Sequence, residues 1–291
     1  MQPYGGRINV EYLPLSEIKF AYGIESDLPA QPESPAALGP RFLDTLDALS
    51  RIDPEIFTSW KILVRPDINK VLEEAERIGT AAAVEKIEIY SPEEARSRIV
   101  AIVENNVTRD DFREPEPYWG YSLIAYTGDV VESRRVGLRI KAGGKVRGST
   151  WLQTGDYKVL PDLALVTYPL FKAALLTINA IWPGTYAYAY AYKTDYEKTP
   201  LLPGAEPFPF FGFHSPWLGY LSAPLASGLA PPPEILTERT PNGGLLMSAT
   251  EERLDPTVPA HWRRARMIAD IMIARKSDSK PSPPIGGPGA N

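Results

Sequence analysis

The chain has 291 residues, of which 44% are apolar and 23% charged, an ordinary composition for a globular protein with room for one large domain or two small ones. The net charge of −5 weighs against nucleic-acid binding and favours a basic partner. There is no cysteine, which excludes disulfides, thiolate nucleophiles and zinc–thiolate sites.

The distribution of apolar residues also predicts where in the cell the protein resides. The first fifteen residues lack the basic and apolar regions of a signal peptide, and no run of 18 apolar residues occurs. The longest apolar region, 164–182, is interrupted by polar side chains. We therefore expect a cytoplasmic protein with no membrane partner.

Periodicity predicts the elements of the first third of the chain. Apolar residues two apart indicate strands, and apolar residues three or four apart indicate helices. The predicted elements are one bent strand or two strands over 7–24, a helix over 38–51, a strand over 60–64, and helices over 69–78 and 91–105.

The helix that begins near Ser91 has the clearest start signal. Ser91 can cap the helix, Pro92 suits its first turn, and Glu94 completes a capping box. We expect Asn105 and Asn106 to end it.

The same patterns continue to the C-terminal region. An Asn-Gly-Gly turn at 242–244 predicts a β-hairpin, and a proline-, serine- and glycine-rich tail over 275–291 predicts disorder. The predicted elements are strands over 118–126, 136–141, 149–153, 186–192, 217–222, 235–240 and 245–250, and helices over 168–181 and 259–274.

Four tyrosines alternate with alanines in the strand at 186–192. Because side chains alternate across a strand, the alanines share one face and the tyrosines share the other. We expect the alanine face to pack tightly against a helix. The tyrosine face is either half-buried, with hydroxyls reaching water, or a binding surface.

Together these elements predict an α+β fold. We expect mixed or antiparallel sheets with helices packed on one face, or two similar α+β halves. Residues 1–274 then form a single domain, with a subdivision near 155–165 as the alternative.

Most catalytic motifs are absent from the sequence. No GxSxG elbow, Walker loop or GxGxxG motif occurs, and the only histidines, His214 and His261, do not have zinc-ligand spacing. We interpret His214 as a loop histidine and expect His261 to be exposed in the first turn of the last helix. The sequence predicts no catalytic residue, no metal and no cofactor.

Acidic residues form two clusters. The first contains Asp110, Asp111, Glu114 and Glu116, and the second lies at 251–255. A glycoside hydrolase uses two such carboxylates, but a solvated acidic surface is the more common reason for acidic loop clusters.

The first acidic cluster runs directly into Tyr118 and Trp119. Large aromatic side chains beside charges are typical of protein-binding hot spots. The candidate site for a basic protein partner therefore consists of Asp110, Asp111, Glu114, Glu116, Tyr118 and Trp119.

Three further segments resemble the bacterial immunity protein 52 family of polymorphic-toxin systems. The first is LSRIDP at 49–54 followed by Trp60, and the second is PWLGYLSAP at 216–224 followed by three prolines. The third is TPNGGLLMSAT at 240–250, which leads into a terminal helix containing Ala260 and Ala265.

The resemblance implies an α+β immunity protein without enzymatic activity or cofactor. Its partner would be a cognate toxin, of the restriction-endonuclease-like nuclease type, delivered by a type VI or contact-dependent system. The resemblance transfers no inhibitory residue. Two alternatives stay open: a structural or scaffold protein of a secretion apparatus, and a carboxylate-dependent glycoside hydrolase.

Overall fold

A computed structural model describes residues 20–65, 88–108, 117–128, 134–155, 160–193, 215–255 and 258–278. The predicted helix over 69–78, the first part of the predicted strand over 7–24 and most of the tail lie outside these ranges.

Ten described strands form one sheet. They are β1 (Phe20–Leu28), β2 (Lys61–Val64), β3 (Glu88–Tyr90), β4 (Tyr121–Tyr126), β5 (Val136–Ala142), β6 (Gly148–Thr154), β7 (Tyr186–Lys193), β8 (Ser215–Leu221), β9 (Leu236–Arg239) and β10 (Leu245–Ser248). Their order is β3-β2-β4-β5-β6-β1-β7-β8-β10-β9, and every neighbouring pair is antiparallel. The predicted α+β class with an antiparallel sheet is confirmed.

Six described α-helices complete the fold. They are α1 (Pro35–Ile52), α2 (Pro92–Arg96), α3 (Ile99–Asn105), α4 (Tyr168–Ile181), α5 (Ala223–Ala226) and α6 (Pro259–Asp278), with a 3-10 turn at Leu163–Leu165. None of the described helices combines the length and the apolar content needed to cross a membrane.

Local signals place most helix boundaries. The capping box is present, since Ser91 Oγ accepts the Glu94 N–H and the Glu94 carboxylate accepts the Ser91 N–H. The helix predicted over 91–105 is divided into α2 and α3 by a short turn. The helix predicted over 259–274 continues to Asp278.

One face of the sheet carries most of the core. The inward side chains of β4, β5 and β6, such as Leu123, Leu138 and Leu152, are fully buried on this face. α1 packs against α3 and α4 above them. The Trp182 indole N–H, just past the end of α4, donates to Thr45 Oγ1 of α1 at 2.8 Å and so ties these two helices together.

α6 lies on the opposite face of the sheet, across β8 and β10. Gly219 of β8 makes this packing possible, because a Cβ there would lie 2.6 Å from Ile268 Cγ2 and 2.8 Å from Met272 Sδ. The described helices therefore occupy both faces, although the sequence pattern indicated one. Amphipathicity shows that a helix has a buried side, but it does not show which face of the sheet that side meets.

Both faces of β7 are buried. The alanine face packs against α4, as predicted. The tyrosine face is also buried, which contradicts both an exposed binding surface and a half-buried face with hydroxyls in water. Tyr188 donates to Glu25 Oε2 at 2.8 Å, and Tyr190 Oη accepts the Trp151 indole N–H at 2.9 Å. The hydroxyl groups of Tyr188 and Tyr190 therefore have partners within the sheet.

Candidate protein-binding surface

The face that α6 covers over β8 and β10 continues, without a described helix above it, across β2, β4, β5 and β6. We call this region the open face. Six of its outward side chains are at least partly exposed, whereas others, such as Ser122 and Tyr126, are buried. The open face is defined by these six exposed or half-buried residues, Lys61, Leu63, Ile124, Arg139, Lys141 and Trp151.

The antiparallel register lines up side chains across the open face. Ile124 lies opposite Arg139, and Arg139 lies opposite Trp151. Trp151 in turn lies opposite Glu25 of β1. The row therefore runs from an aliphatic side chain through a cation and an indole ring to a carboxylate.

Cations of the open face are held by neutral groups. Arg139 Nε donates to Ser122 Oγ at 3.1 Å, and the Lys141 ammonium lies 4.8 Å from the centre of the Trp119 ring. The Tyr126 ring has the Arg135 guanidinium at 4.4 Å and the Lys61 ammonium at 5.7 Å. Cation–π contacts of this kind hold the charges in place without neutralising them.

Tyr118 and Trp119 stand at the edge of the open face. They are 49% and 41% exposed, and their rings meet edge to face with centroids 5.5 Å apart. The Lys141 contact places Trp119 on the open face. These two residues of the predicted site are thus exposed aromatic side chains, as the hot-spot prediction requires.

The turn that carries the two aromatic residues is fixed by its backbone. Gly120 has a φ of +78°, a conformation that favours glycine, and a Cβ there would overlap the Ala142 carbonyl oxygen. The Tyr118 carbonyl accepts the Lys145 N–H at 2.8 Å, and the Gly120 carbonyl accepts the Thr108 N–H at 2.9 Å. Two neighbouring segments therefore hold the aromatic pair in position.

Two carboxylates mark the boundary between the open face and the part under α6. Glu25 and Asp27 are two residues apart on β1 and project from the same face. Burial raises the pKa of the Glu25 carboxyl above its usual range, although the Tyr188 hydrogen bond and the charge of Lys276 oppose the shift. Burial likewise raises the pKa of Asp27, opposed by Arg147, whose guanidinium lies 2.6 Å from the Asp27 carboxylate.

The acidic part of the predicted site is not among the described residues. Asp110, Asp111, Glu114 and Glu116 lie outside the described residues, as does His214. The structure therefore brings together Tyr118 and Trp119 and leaves the acidic part of the candidate site as a prediction.

The second acidic cluster and the last histidine lie within the described residues. Glu251 and Glu252 are exposed. His261 is only 9% exposed, because its Nδ1 accepts the Asp255 N–H at 3.2 Å and fixes the loop before α6. The expectation that His261 is exposed was wrong, since a tertiary contact with this loop buries the first turn of the helix. Within the described ranges, no group of three or more His, Asp or Glu side chains could hold a metal ion.

Sequence reasoning missed the cations of the open face. Residues 134–155 contain six arginines and lysines and no carboxylate, within a chain that has 36 acidic and 31 basic residues. That run could have been recognised in the sequence as a cationic segment. Strand alternation places Arg139 and Lys141 on one face, but the sequence does not show that this face is left uncovered, which depends on where α6 packs.

No family model matches the chain, and no curated protein matches it. The resemblance to the immunity protein 52 family therefore remains a prediction. Among solved structures, the chain is similar to the Pseudomonas aeruginosa T6SS protein PA0821, with 12% sequence identity and a TM-score of 0.47 over 87% of this chain and 73% of that one.

Proposed function

We propose that this chain is an immunity protein that binds a cognate secreted toxin and neutralises it. The observation that carries the proposal is the exposed Tyr118–Trp119 pair on its fixed turn. Tyrosine and tryptophan dominate the energetics of protein interfaces because they bury a large area with few rotatable bonds. A pair that is already ordered also loses little conformational entropy on binding.

The partner in this proposal is a restriction-endonuclease-like nuclease delivered by a type VI or contact-dependent system, as the sequence resemblance implies. A nuclease binds phosphates with lysine and arginine, so its cleft is positive. The acidic residues at 110–116 would complement such a cleft and speed association. Neutralisation can then proceed by blocking the active site or by disrupting the assembly of the toxin. The chain itself acts in the cytoplasm, without a catalytic group or a cofactor.

The test is co-expression of this chain with the product of the adjacent upstream gene, followed by co-purification and a DNA-cleavage assay. We expect a stable complex and loss of cleavage. Failure to associate, with cleavage unaffected, would contradict the proposal.

A double variant, Tyr118→Ala with Trp119→Ala, tests the aromatic pair itself. We expect the Kd of the complex to rise by about 100-fold or more, because truncation of a hot-spot aromatic residue costs about 2 kcal/mol or more and each 1.4 kcal/mol is a factor of ten. Isothermal titration calorimetry measures the change. Val100→Ala with Leu163→Ala is the matched control, since both residues are exposed and apolar but lie on other elements. Equal affinities for the two double variants would remove the aromatic pair from the interface.

A further inference from the structure

We propose that the open face binds a carboxylate-bearing segment of a protein partner, with Arg139 and Lys141 as the cations that recognise it. The proposal rests on the proposed function for the identity of the partner, and on the described residues for the chemistry of the contact. It differs from a purely acidic interface, because it assigns acidic groups to the toxin as well as to this chain.

The two cations of the proposed contact, Arg139 and Lys141, have neutral partners. Some described arginines lie beside carboxylates, such as Arg147 beside Asp27 and Arg41 beside Glu33, whereas others contact neutral groups. Within the same ranges, Arg139 contacts a serine hydroxyl through Nε, and Lys141 contacts an indole ring. The terminal nitrogens of Arg139 are therefore available for a carboxylate, and Arg139 is exposed.

Among the described residues, the two carboxylates at the border of the open face, Glu25 and Asp27, are already engaged. Asp27 is paired with Arg147, and Glu25 accepts a hydrogen bond from Tyr188. Trp151 occupies the row position between Glu25 and Arg139. These two carboxylates therefore do not cancel the positive charge of Arg139 and Lys141, and an incoming carboxylate can complement it.

The surface around Arg139 fits a polypeptide better than a nucleic acid. The row that contains Arg139 continues through Ile124 and Leu63 to Ile89, which is 49% exposed. A polypeptide can cover this aliphatic strip and the cations together, as protein interfaces do. The rings of Tyr118 and Trp119 are inclined at 81°, so they do not offer parallel platforms for stacked bases.

The experiment measures binding of the full chain to a fluorescein-labelled random copolymer of glutamate and tyrosine by fluorescence anisotropy at low salt. We expect saturable binding that weakens by about tenfold or more in the double variant Arg139→Glu with Lys141→Glu, because two attractive contacts become repulsive. The control is Arg51→Glu with Arg263→Glu, which changes the net charge equally at two exposed positions on α1 and α6. It should retain wild-type affinity, and circular dichroism checks that both variants are folded.

Three outcomes would overturn the proposal: no saturable binding of the copolymer, equal loss in both double variants, or tighter binding of a single-stranded oligonucleotide of similar length. The same variants are then titrated with the toxin. Copolymer binding that depends on Arg139 and Lys141, with no toxin complex in the co-expression test, would remove the proposed function and leave the carboxylate-binding face standing. If Arg139→Glu with Lys141→Glu leaves toxin binding unaffected, the open face is not the toxin contact, while the immunity function stands.

Discussion

At the scale of single residues, burial of Glu25 at the border of the region under α6 disfavours its charged carboxylate in the folded protein. Its carboxyl is mostly buried against Tyr188, and its raised pKa means that the carboxyl holds its proton more tightly in the folded protein than in the unfolded chain. Below the unfolded pKa of about 4.3, both the folded and unfolded states are protonated and burial of the charge costs nothing. As the pH rises through the raised folded pKa, the stability that this group contributes is lost.

We therefore expect Glu25→Gln to raise the free energy of unfolding at about pH 8 and to leave it nearly unchanged at about pH 4. The glutamine keeps an oxygen that can accept the Tyr188 hydroxyl proton, but it cannot ionise. Urea unfolding followed by far-ultraviolet circular dichroism at the two pH values measures the difference. A variant that is less stable than the wild type at about pH 8 would show that the Glu25 charge is stabilising and that burial does not dominate.

At the scale of elements, the packing of α6 on β8 depends on Gly219. We expect Gly219→Ala to destabilise the protein by about 1–3 kcal/mol, because the added methyl group enters the space of Ile268 and Met272 and overpacks the contact. Gly137→Ala is the matched control, since Gly137 is also a strand glycine and a Cβ there meets no atom within 4 Å. Urea unfolding compares them, and equal midpoints for the two variants would contradict this account of the α6 contact.

Most elements were predictable because their signals are local. The apolar stripe of Leu38, Phe42, Leu46 and Leu49 predicted α1, and all four side chains are buried. The capping box at Ser91 marked the start of α2. By contrast, nothing local indicates that β1 lies between β6 and β7, since those pairings join residues far apart in the chain. The buried state of the Tyr188 face and of His261 follows from such contacts, and so sequence reasoning left the first open and placed the second at the surface.

At the scale of the whole molecule, charge is distributed unevenly along the chain. The chain is acidic overall, yet residues 134–155 carry six cations and no carboxylate, and Arg139 and Lys141 share the open face beside Trp119. The candidate site was predictable in its aromatic part, because Tyr118 and Trp119 follow an acidic run in sequence. Its cationic part was not, because exposure of Arg139 requires that α6 leave this half of the sheet uncovered.

The most direct test of the central claim is amide hydrogen exchange of this chain with and without a catalytically inactive form of the co-purified toxin. We predict slowed exchange in the turns at 117–120 and 143–147, which flank the open face, and unchanged exchange in the exposed amides of α1. Protection confined to α6, β9 or another surface remote from these turns would contradict the claim that Tyr118, Trp119 and the open face form the toxin-binding site.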